Sequence, residues 1–246
     1  RGFHGVEIAP TRIFPEHPYD CLKEAKAWSR NLYEVYGLTI PSMQSIWYGR
    51  TEKLFGTETE RQMLMDYTKR AIDFAAAIQC KNLVFGSPKN RVILPGMEAE
   101  QVKEIEMAFF GELGDYAAQN DTVLSMEANP PIYQTNYING TKDAICLVEK
   151  IDSAGFRVNL DVGTMIANGE SAEVVTGAVT NTHHVHISEP GLALIQERSL
   201  HRELLPGLWK NAYTGFVSVE MGRREDLTEI LSVLDYVKDI AEEEKR

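Results

Sequence analysis

A regular alternation of short apolar segments with amphipathic stretches is the feature that most restricts how this chain can fold. Four stretches carry apolar residues at helical spacing, over residues 61–77, 98–118, 142–151 and 227–240. Seven short segments rich in β-branched and apolar residues end near Glu7, Gln44, Gly86, Glu127, Asp161, His186 and Glu220. Repetition of strand and helix without hairpin signals predicts parallel βα units.

The spacing of the strand ends predicts a barrel. Neighbouring ends are 25 to 42 residues apart, which is enough for one βα unit each. We therefore predict an α/β fold, a (β/α)8 TIM barrel that forms a single domain over residues 1–246. Seven units are visible and a closed barrel has eight, so the simplest interpretation places the first unit before Arg1. A doubly wound open sheet is the alternative, but no glycine-rich nucleotide-binding turn follows an early strand.

The balance of charge and the cysteine count restrict the partners of the chain. Its formal net charge is -11, so its surface repels the phosphate backbone of nucleic acids. No apolar run reaches the length of a membrane span. The three cysteines are far apart and odd in number, which favours a reducing compartment over a disulfide framework. We expect a cytoplasmic protein with a small-molecule partner, without nucleic acid or a membrane.

The last four predicted strands share one pattern at their ends. The final residue and the one two positions earlier are polar, while the residue between them is apolar. The polar pairs are Ser125 and Glu127, Asn159 and Asp161, His184 and His186, and Ser218 and Glu220. Alternation places each pair on one face of its strand, and the carboxyl ends of barrel strands meet at the mouth. A single strand-end carboxylate is more often a helix cap or an ion-pair partner, but four neighbours together predict a shared site.

The composition of this predicted site favours a metal ion. Three buried carboxylates cannot all stay ionised without compensation, and a divalent cation supplies it. A set of three carboxylates and one imidazole favours Mn²⁺ first, and Mg²⁺, Co²⁺ or Zn²⁺ also suit it. His183 has the opposite parity to His184, so we expect it to face a helix and to play a structural part.

The strand ends also resemble a known family. The segments "SMEAN" (125–129), "NLDVG" (159–163), "HVHISE" (184–189) and "VSVE" (217–220) are similar to those of the xylose isomerase-like TIM-barrel superfamily. That superfamily includes ketose 3-epimerases, hydroxypyruvate isomerases, inosose dehydratases and type IV apurinic endonucleases. Two departures from the ketose 3-epimerases stand out. Tyr133 replaces an acid and Leu192 replaces an arginine that help to hold the sugar there, so the resemblance points to the superfamily and not to that subgroup.

The resemblance implies roles for particular residues. It implies that Glu127, Asp161, His186 and Glu220 bind one divalent metal, and that His184 lies on the substrate side. Glu127 and Glu220 would move the proton. The implied enzyme is a metal-dependent isomerase or epimerase of a small sugar, sugar acid or polyol ketone, working through a metal-bound enediolate. Three alternatives remain: a dehydratase of the same superfamily, a phosphodiesterase like the apurinic endonucleases, and a non-catalytic binding barrel. The family likeness also allows a homo-oligomer.

Further candidates for substrate binding lie near the predicted mouth. Lys89 and Arg91, in the loop "SPKNR", are suited to hold a phosphate or carboxylate, although a solvated basic loop has the same appearance. Glu7 and Gln44 lie near strand ends and either bind hydroxyl groups or support other site residues. Glu189 lies just beyond its strand, where it could orient a histidine or contact the substrate.

Overall fold

A sheet of parallel strands forms the centre of the molecule. The computed structural model describes residues 2–243. Its sheet has the order β1-β2-β3-β4-β5, and every neighbouring pair is parallel. The strands are β1 (Asn82–Phe85), β2 (Val123–Glu127), β3 (Phe156–Asp161), β4 (Thr182–Ile187) and β5 (Phe216–Val219). Sequential strands that pair in parallel and curve under helices form half of a barrel, as the βα spacing predicts.

Two extended segments continue this half barrel before β1. Gly5 bridges Thr39, Ile8 bridges Met43, and Met43 bridges Leu83 of β1, all in parallel. The first two predicted strands are therefore present as extended backbone, but they form isolated bridges and no continuous ladder. Pro41 lies in the middle of the second segment and has no N–H to donate, which interrupts the hydrogen bonding. The expectation of seven parallel segments is confirmed, while the regularity of the first two is lower than expected.

Helices follow the strands and cover their outer face. They are α1 (Pro10–Ile13), α2 (Leu22–Tyr36), α3 (Glu58–Ala77), α4 (Ala99–Gln119), α5 (Thr141–Ile151), α6 (Val162–Asn168), α7 (Glu173–Thr176), α8 (Ser199–Lys210) and α9 (Leu227–Glu243). The four stretches with helical spacing in the sequence correspond to α3, α4, α5 and α9. Within residues 2–243, no helix combines the length and the apolar character that crossing a bilayer requires.

Aromatic packing joins α4 to β1 and β3. The Phe110 ring of α4 lies 5.3 Å from Phe85 of β1 and 5.0 Å from Phe156 of β3. Met126 of β2 and Leu160 of β3, the apolar residues between the polar pairs of these strands, are buried. Burial of this apolar layer holds the strands in place from outside, so the opposite faces of the same strands can carry polar groups towards the barrel axis.

β4 contains one residue more than its pairing with β3 requires. Thr182 pairs with Val158, but the next residue of β3, Asn159, pairs with His184. His183 is thus the extra residue of a β-bulge, and a bulge breaks the simple alternation of faces. Its Nδ1 lies 3.0 Å from Oδ1 of Asn82, on β1 across the barrel. The expectation that His183 faces a helix is therefore wrong.

The half barrel is open on one side. A groove of about 800 Å³ lies between the first extended segment on one wall and β5 and α9 on the other. The residues of β5 are partly or fully exposed, whereas those of β1 are all buried. Glu7 and Glu220 line the groove, so the site at the mouth borders this opening.

Candidate metal centre

Four side chains from consecutive strands converge at the carboxyl end of the sheet. Glu127 and Asp161 are the last residues of β2 and β3, His186 is near the end of β4, and Glu220 follows β5. Each offers one ligand atom, and these four atoms all lie within 4.8 Å of one another. Nδ1 of His186 is 3.3 Å from Oε1 of Glu127 and 3.2 Å from Oε2 of Glu220. The structure thus brings together the four residues that the strand-end pattern singled out.

The charges of this cluster favour a cation. Burial, and then the charge of Glu127, raise the pKa of Asp161 above its usual value. Burial alone would lower the pKa of His186, but the carboxylates of Glu7 and Glu220 raise it well above its usual value. The carboxylates of Glu127, Asp161 and Glu220 thus crowd around the imidazole of His186. Because a divalent cation relieves this repulsion, and because the donors are three oxygens and one nitrogen, the residues present fit a divalent metal ion.

Glu7 supports the histidines from below the cluster. Its Oε2 lies 3.0 Å from Nε2 of His186 and 3.4 Å from Nε2 of His184. Burial would raise the pKa of Glu7, but the two histidines lower it below its usual value, so the side chain is a carboxylate. Because a carboxylate only accepts hydrogen bonds, Nε2 of His186 must carry the hydrogen, and Nδ1 faces Glu127 and Glu220. This is the arrangement by which a carboxylate orients a metal-binding imidazole.

The remaining contacts of these residues are also internal. The Gln44 amide donates to the other oxygen of Glu7 over 2.9 Å, and Nε2 of His184 lies 2.8 Å from Oγ of Ser218. Both oxygens of Glu7 are thereby occupied by the protein, which favours the second of the two expectations for Glu7 and Gln44, the support of other site residues, over the binding of substrate hydroxyls. Glu7, His184 and His186 also lie within metal-binding range of one another, but they share His186 with the first set. We interpret this second group as the support of His186.

Two asparagines and a glycine determine where the Glu127 carboxylate lies. Asn159 donates to its Oε1 over 2.9 Å, and Asn129 donates to its Oε2 over 3.0 Å. A Cβ atom on Gly86 would lie 2.7 Å from the same Oε2, so only glycine leaves room for the carboxylate. The sequence marked Gly86 as a strand end, but it gave no sign that a carboxylate packs against it.

Asp161 serves two structural purposes at once. Its Oδ2 accepts hydrogen bonds of 2.8 Å from the backbone N–H and the hydroxyl of Thr164, so it caps the N-terminus of α6. Its Oδ1 accepts from the hydroxyl of Ser188, which itself accepts from the N–H of Gly163. Asp161 is therefore both a helix cap, the alternative interpretation of a strand-end carboxylate, and a member of the cluster.

Arg91 lies beneath the site and does not face the mouth. Its side chain is fully buried, and Nη2 donates to the carbonyl oxygen of Glu127 over 2.8 Å and to Oδ1 of Asn129 over 2.6 Å. Burial lowers the pKa of its guanidinium to about 10. The expectation that Arg91 holds a substrate anion is not supported, because its donors are directed at the backbone that carries Glu127. Lys89, two residues earlier, is exposed and lines a cavity at the mouth.

Glu189 is committed to a different partner from the one expected. It is buried, and its two oxygens accept from Nε and Nη2 of Arg198 over 2.6 and 2.5 Å. This bidentate pair ties the loop after β4 to the start of α8. Glu189 therefore does not orient His184 or His186. The pairing was not visible in the sequence because Arg198 lies nine residues away in an irregular stretch.

Tyr133 is a mouth residue whose contacts the sequence did not reveal. Its hydroxyl accepts a hydrogen bond of 2.8 Å from the N–H of Gly191, which joins the loop after β2 to the loop after β4. Burial raises the pKa of this hydroxyl, and the nearby carboxylates of Asp161, Glu220 and Glu127 raise it further. Tyr133 thus borders the cluster of carboxylates.

A parallel half barrel with a carboxylate and histidine set at its mouth defines a class of TIM-barrel proteins. The model of the family described as xylose isomerase-like TIM barrel matches residues 1–242. The chain therefore belongs to the xylose isomerase-like TIM-barrel family. No curated protein matches the sequence.

Solved structures of the same fold include enzymes that act on sugars and on nucleic acid. A 3-keto-D-glucoside 4-epimerase from E. coli is 19% identical, with a TM-score of 0.77 over 97% of this chain and 90% of that one. A D-psicose 3-epimerase from Clostridium cellulolyticum H10, solved with D-tagatose, is 14% identical, with a TM-score of 0.78 over 97% and 89%. An AP endonuclease, family 2, from Brucella melitensis is 19% identical, with a TM-score of 0.74 over 96% and 89%. At these identities the likeness establishes a shared fold.

Proposed function

We propose that this protein is a divalent-metal-dependent isomerase or epimerase of a small sugar, sugar acid or polyol ketone. The observation that carries the proposal is the convergence of Glu127, Asp161, His186 and Glu220, whose ligand atoms lie within 4.8 Å of one another. These four residues would hold the metal. The oxygen-rich donor set favours Mn²⁺, with Mg²⁺, Co²⁺ and Zn²⁺ as the other candidates. The sugar epimerases among the solved structures of this fold support the choice of reaction.

Two carboxylates of the set are suited to proton transfer. When bound, a divalent cation polarises a carbonyl and an adjacent hydroxyl oxygen and so acidifies the C–H bond beside them. Glu127 ends β2 and Glu220 follows β5, three strands away in the sheet, and the two carboxylates lie 3.3 and 3.2 Å from Nδ1 of His186. In the proposed reaction, one carboxylate removes the proton from a carbon beside the carbonyl. The other, which enters the step as a carboxylic acid protonated from solvent, donates its proton on the opposite side, or at the neighbouring carbon, and is left as a carboxylate.

The neighbouring side chains would preserve the geometry that proton transfer needs. Asn159 and Asn129 bond to different oxygens of Glu127 and so hold the plane of its carboxylate. Glu7 holds the imidazole of His186 through Nε2. A catalytic carboxylate must stay within hydrogen-bond reach of the carbon-bound proton, and these contacts restrict its rotation.

We also propose that the protein works in the cytoplasm. Cys21, Cys80 and Cys146 are all free thiols, which supports a reducing compartment.

Exchange of substrate protons with solvent tests the proposed reaction. The Mn²⁺-loaded protein would be incubated in D₂O with a panel of ketoses, aldoses and sugar acids, and the products followed by ¹H NMR. We expect deuterium at a carbon beside the carbonyl of at least one compound, together with formation of an isomer or epimer. Elimination of water in place of isomer formation would instead identify a dehydratase, the closest alternative.

Variants of the two carboxylates test the assignment of the proton-transfer groups. Glu127→Gln and Glu220→Gln should each abolish exchange, since an amide cannot accept the proton, while circular dichroism stays unchanged. Glu34→Gln, at an exposed position on α2, is the matched control and should exchange as the parent does. Full exchange in both active-site variants would show that neither residue is the base.

A further inference from the structure

A second cavity opens beside the metal set. It has a volume of about 620 Å³ and lies between the loop after the second extended segment, the turn after β1 and the 3-10 turn at Pro131–Tyr133. The residues that matter for its chemistry are Tyr48, Arg50, Lys53, Ser87, Lys89 and Tyr133. We refer to this cavity as the cationic pocket.

Positive charge is concentrated in this pocket. Of the described residues that line it, three are cationic, namely Arg50, Lys53 and Lys89, and none is a carboxylate. The chain as a whole has a net charge of -11, so the pocket is opposite in sign to the rest of the molecule. A local excess of cations within an acidic protein attracts anionic ligands selectively to that place.

Among the described residues, neither ammonium group of this pocket forms a close ion pair, although the Glu60 carboxylate lies near Lys53. Lys53 Nζ donates to the carbonyl oxygen of Lys89 over 2.8 Å, which brings the two lysines together without removing their charge. Lys89 is exposed, and no ion pair to its ammonium occurs within residues 2–243. Arg50 does pair with Glu52, and its guanidinium lies 4.8 Å from the ring of Tyr67. We therefore expect Arg50 to contribute less than the two lysines to the binding of an anion.

The cationic pocket lies next to the metal set. Ser87, which lines the pocket, directly follows Gly86, and a Cβ on Gly86 would be 2.7 Å from Oε2 of Glu127. Consecutive Cα atoms are about 3.8 Å apart, so the pocket begins within one residue of the cluster. Tyr133 lines the pocket and also borders the carboxylates, and its hydroxyl is anchored by the N–H of Gly191.

The side chains that line this pocket suit a sugar derivative. Tyr48 is 66% exposed and presents an aromatic face beside the lysines. Aromatic faces contact apolar surface while leaving polar edges wet, and ammonium groups bind carboxylate or phosphate oxygens through charge-assisted hydrogen bonds. A ligand whose reacting carbons lie at the metal set could therefore place an anionic group among the lysines.

We propose that the substrate carries an anionic group, a carboxylate or a phosphate, which Lys53 and Lys89 hold in the cationic pocket while the reacting carbons lie at the metal set. This inference rests on the proposed function, since it names the substrate class of that same site. Neutral monosaccharides would then be the poorer ligands.

Binding of a matched series of probes tests this inference without requiring turnover. Isothermal titration calorimetry would compare D-glucose, D-glucuronate and D-glucose 6-phosphate on the Mn²⁺-loaded protein. We expect at least one of the two anionic probes to bind at least about tenfold more tightly than D-glucose. The tighter of the two then shows whether the pocket prefers a carboxylate or a phosphate. The affinity for that probe should fall as salt is raised.

Variants of the two lysines show whether the pocket is responsible. Lys53→Met with Lys89→Met should weaken the anionic probe about ten- to a hundredfold and leave D-glucose unchanged. Lys26→Met, at an exposed position on α2 away from the pocket, is the control and should change neither. Equal binding of neutral and anionic probes, or no effect of the lysine variants, would overturn the inference. Tighter binding of a short duplex with an abasic site than of either sugar anion would also overturn it.

The proposed function and this inference fail in different ways. If the anionic preference and its loss in the lysine variants are observed but no probe or panel compound exchanges protons, the pocket stands and the proposed reaction is wrong. If exchange occurs on neutral sugars with no anionic preference, the reaction stands and the substrate class is wrong.

Discussion

Oε2 of Glu7 lies 3.0 Å from Nε2 of His186, which joins the first extended segment to the fourth strand of the sheet across the barrel interior. The contact leaves Nδ1 of the imidazole directed at Glu127 and Glu220. One carboxylate thus determines which ring nitrogen is available to a metal, although it is not itself part of the four-residue set. The orientation of His186 depends on a residue far from it in the chain.

Replacing Glu7 should weaken metal binding without abolishing the fold. Glu7→Gln keeps the volume of the side chain but removes the charge that orients His186, so we expect the dissociation constant for Mn²⁺ to rise about ten- to a hundredfold. Calorimetric titration of the metal-free protein with Mn²⁺ measures this. Glu34→Gln serves again as the control. A dissociation constant within twofold of the parent would mean that Glu7 does not position the imidazole.

Gly86→Ala should displace Glu127 at small cost to stability. The added methyl group would approach Oε2 to 2.7 Å, and the flexible end of the carboxylate can give way more easily than the backbone. We expect Mn²⁺ affinity to fall about tenfold or more while the melting temperature changes by only a few degrees.

The matched control for this variant is Gly111→Ala. Gly111 lies in α4, and a Cβ there would meet nothing within 4 Å, so alanine should leave metal affinity unchanged and stabilise the helix by about 1 kcal/mol. If Gly86→Ala binds Mn²⁺ as tightly as the parent does, the glycine is not needed for the position of the carboxylate.

His183 should make the protein sensitive to mild acid. Burial, with smaller contributions from the charges of His184 and Arg157, lowers the pKa of His183 to about 4. The unfolded chain takes up a proton near the ordinary pKa of about 6.5, whereas the folded chain does not until about 4, so stability falls as the pH drops through this window. The variant His183→Asn keeps a donor towards Asn82 but has no imidazole to protonate. When the pH falls from about 7.5 to about 5, we expect the free energy of unfolding of the parent to decrease by about 2 kcal/mol more than that of the variant. Urea unfolding at the two pH values measures the difference, and parallel losses in both proteins would refute it.

The thiols should differ sharply in reactivity. Cys80 is fully buried, and burial raises its pKa to about 12, whereas Cys146 is exposed. Because the thiolate is the reactive form, we expect Cys80 to react with Ellman's reagent at least about a thousandfold more slowly than Cys146 in the native protein. Cys146→Ser should remove the fast phase. Rapid reaction of that variant at Cys80, located by mass spectrometry, would show that the interior opens readily.

The elements that repeat regularly were predictable from the sequence. Periodicity of 3.6 located α3, α4, α5 and α9, and alternation of polar and apolar residues located the four converging strand ends. Both signals arise because one face of each element must be buried. Apolar residues therefore recur along the chain with the period of a helix or of a strand.

The features that depend on a single residue or on a distant partner were not predictable. A bulge inserts one residue without altering the composition of the strand, so the orientation of His183 could not be read from its parity. Arg91 lies in a polar loop and has the appearance of a solvated residue, yet it is buried by contacts with Asn129 and the Glu127 carbonyl. Its position depends on how the loop returns under the sheet, which local patterns do not specify.

The bulge in β4 also bears on how the strand would tolerate a change in its length. Asn159 pairs with His184 and Asp161 with His186, so the ladder above the bulge already has the register of a strand one residue shorter. A deletion confined to His183 would therefore keep His186 opposite Asp161, while it would remove the contact with Asn82 on the barrel floor and the hydrogen bond that the His183 carbonyl accepts from Tyr213. The floor of the barrel can thus be altered without changing the register that places His186 opposite Asp161 at the mouth.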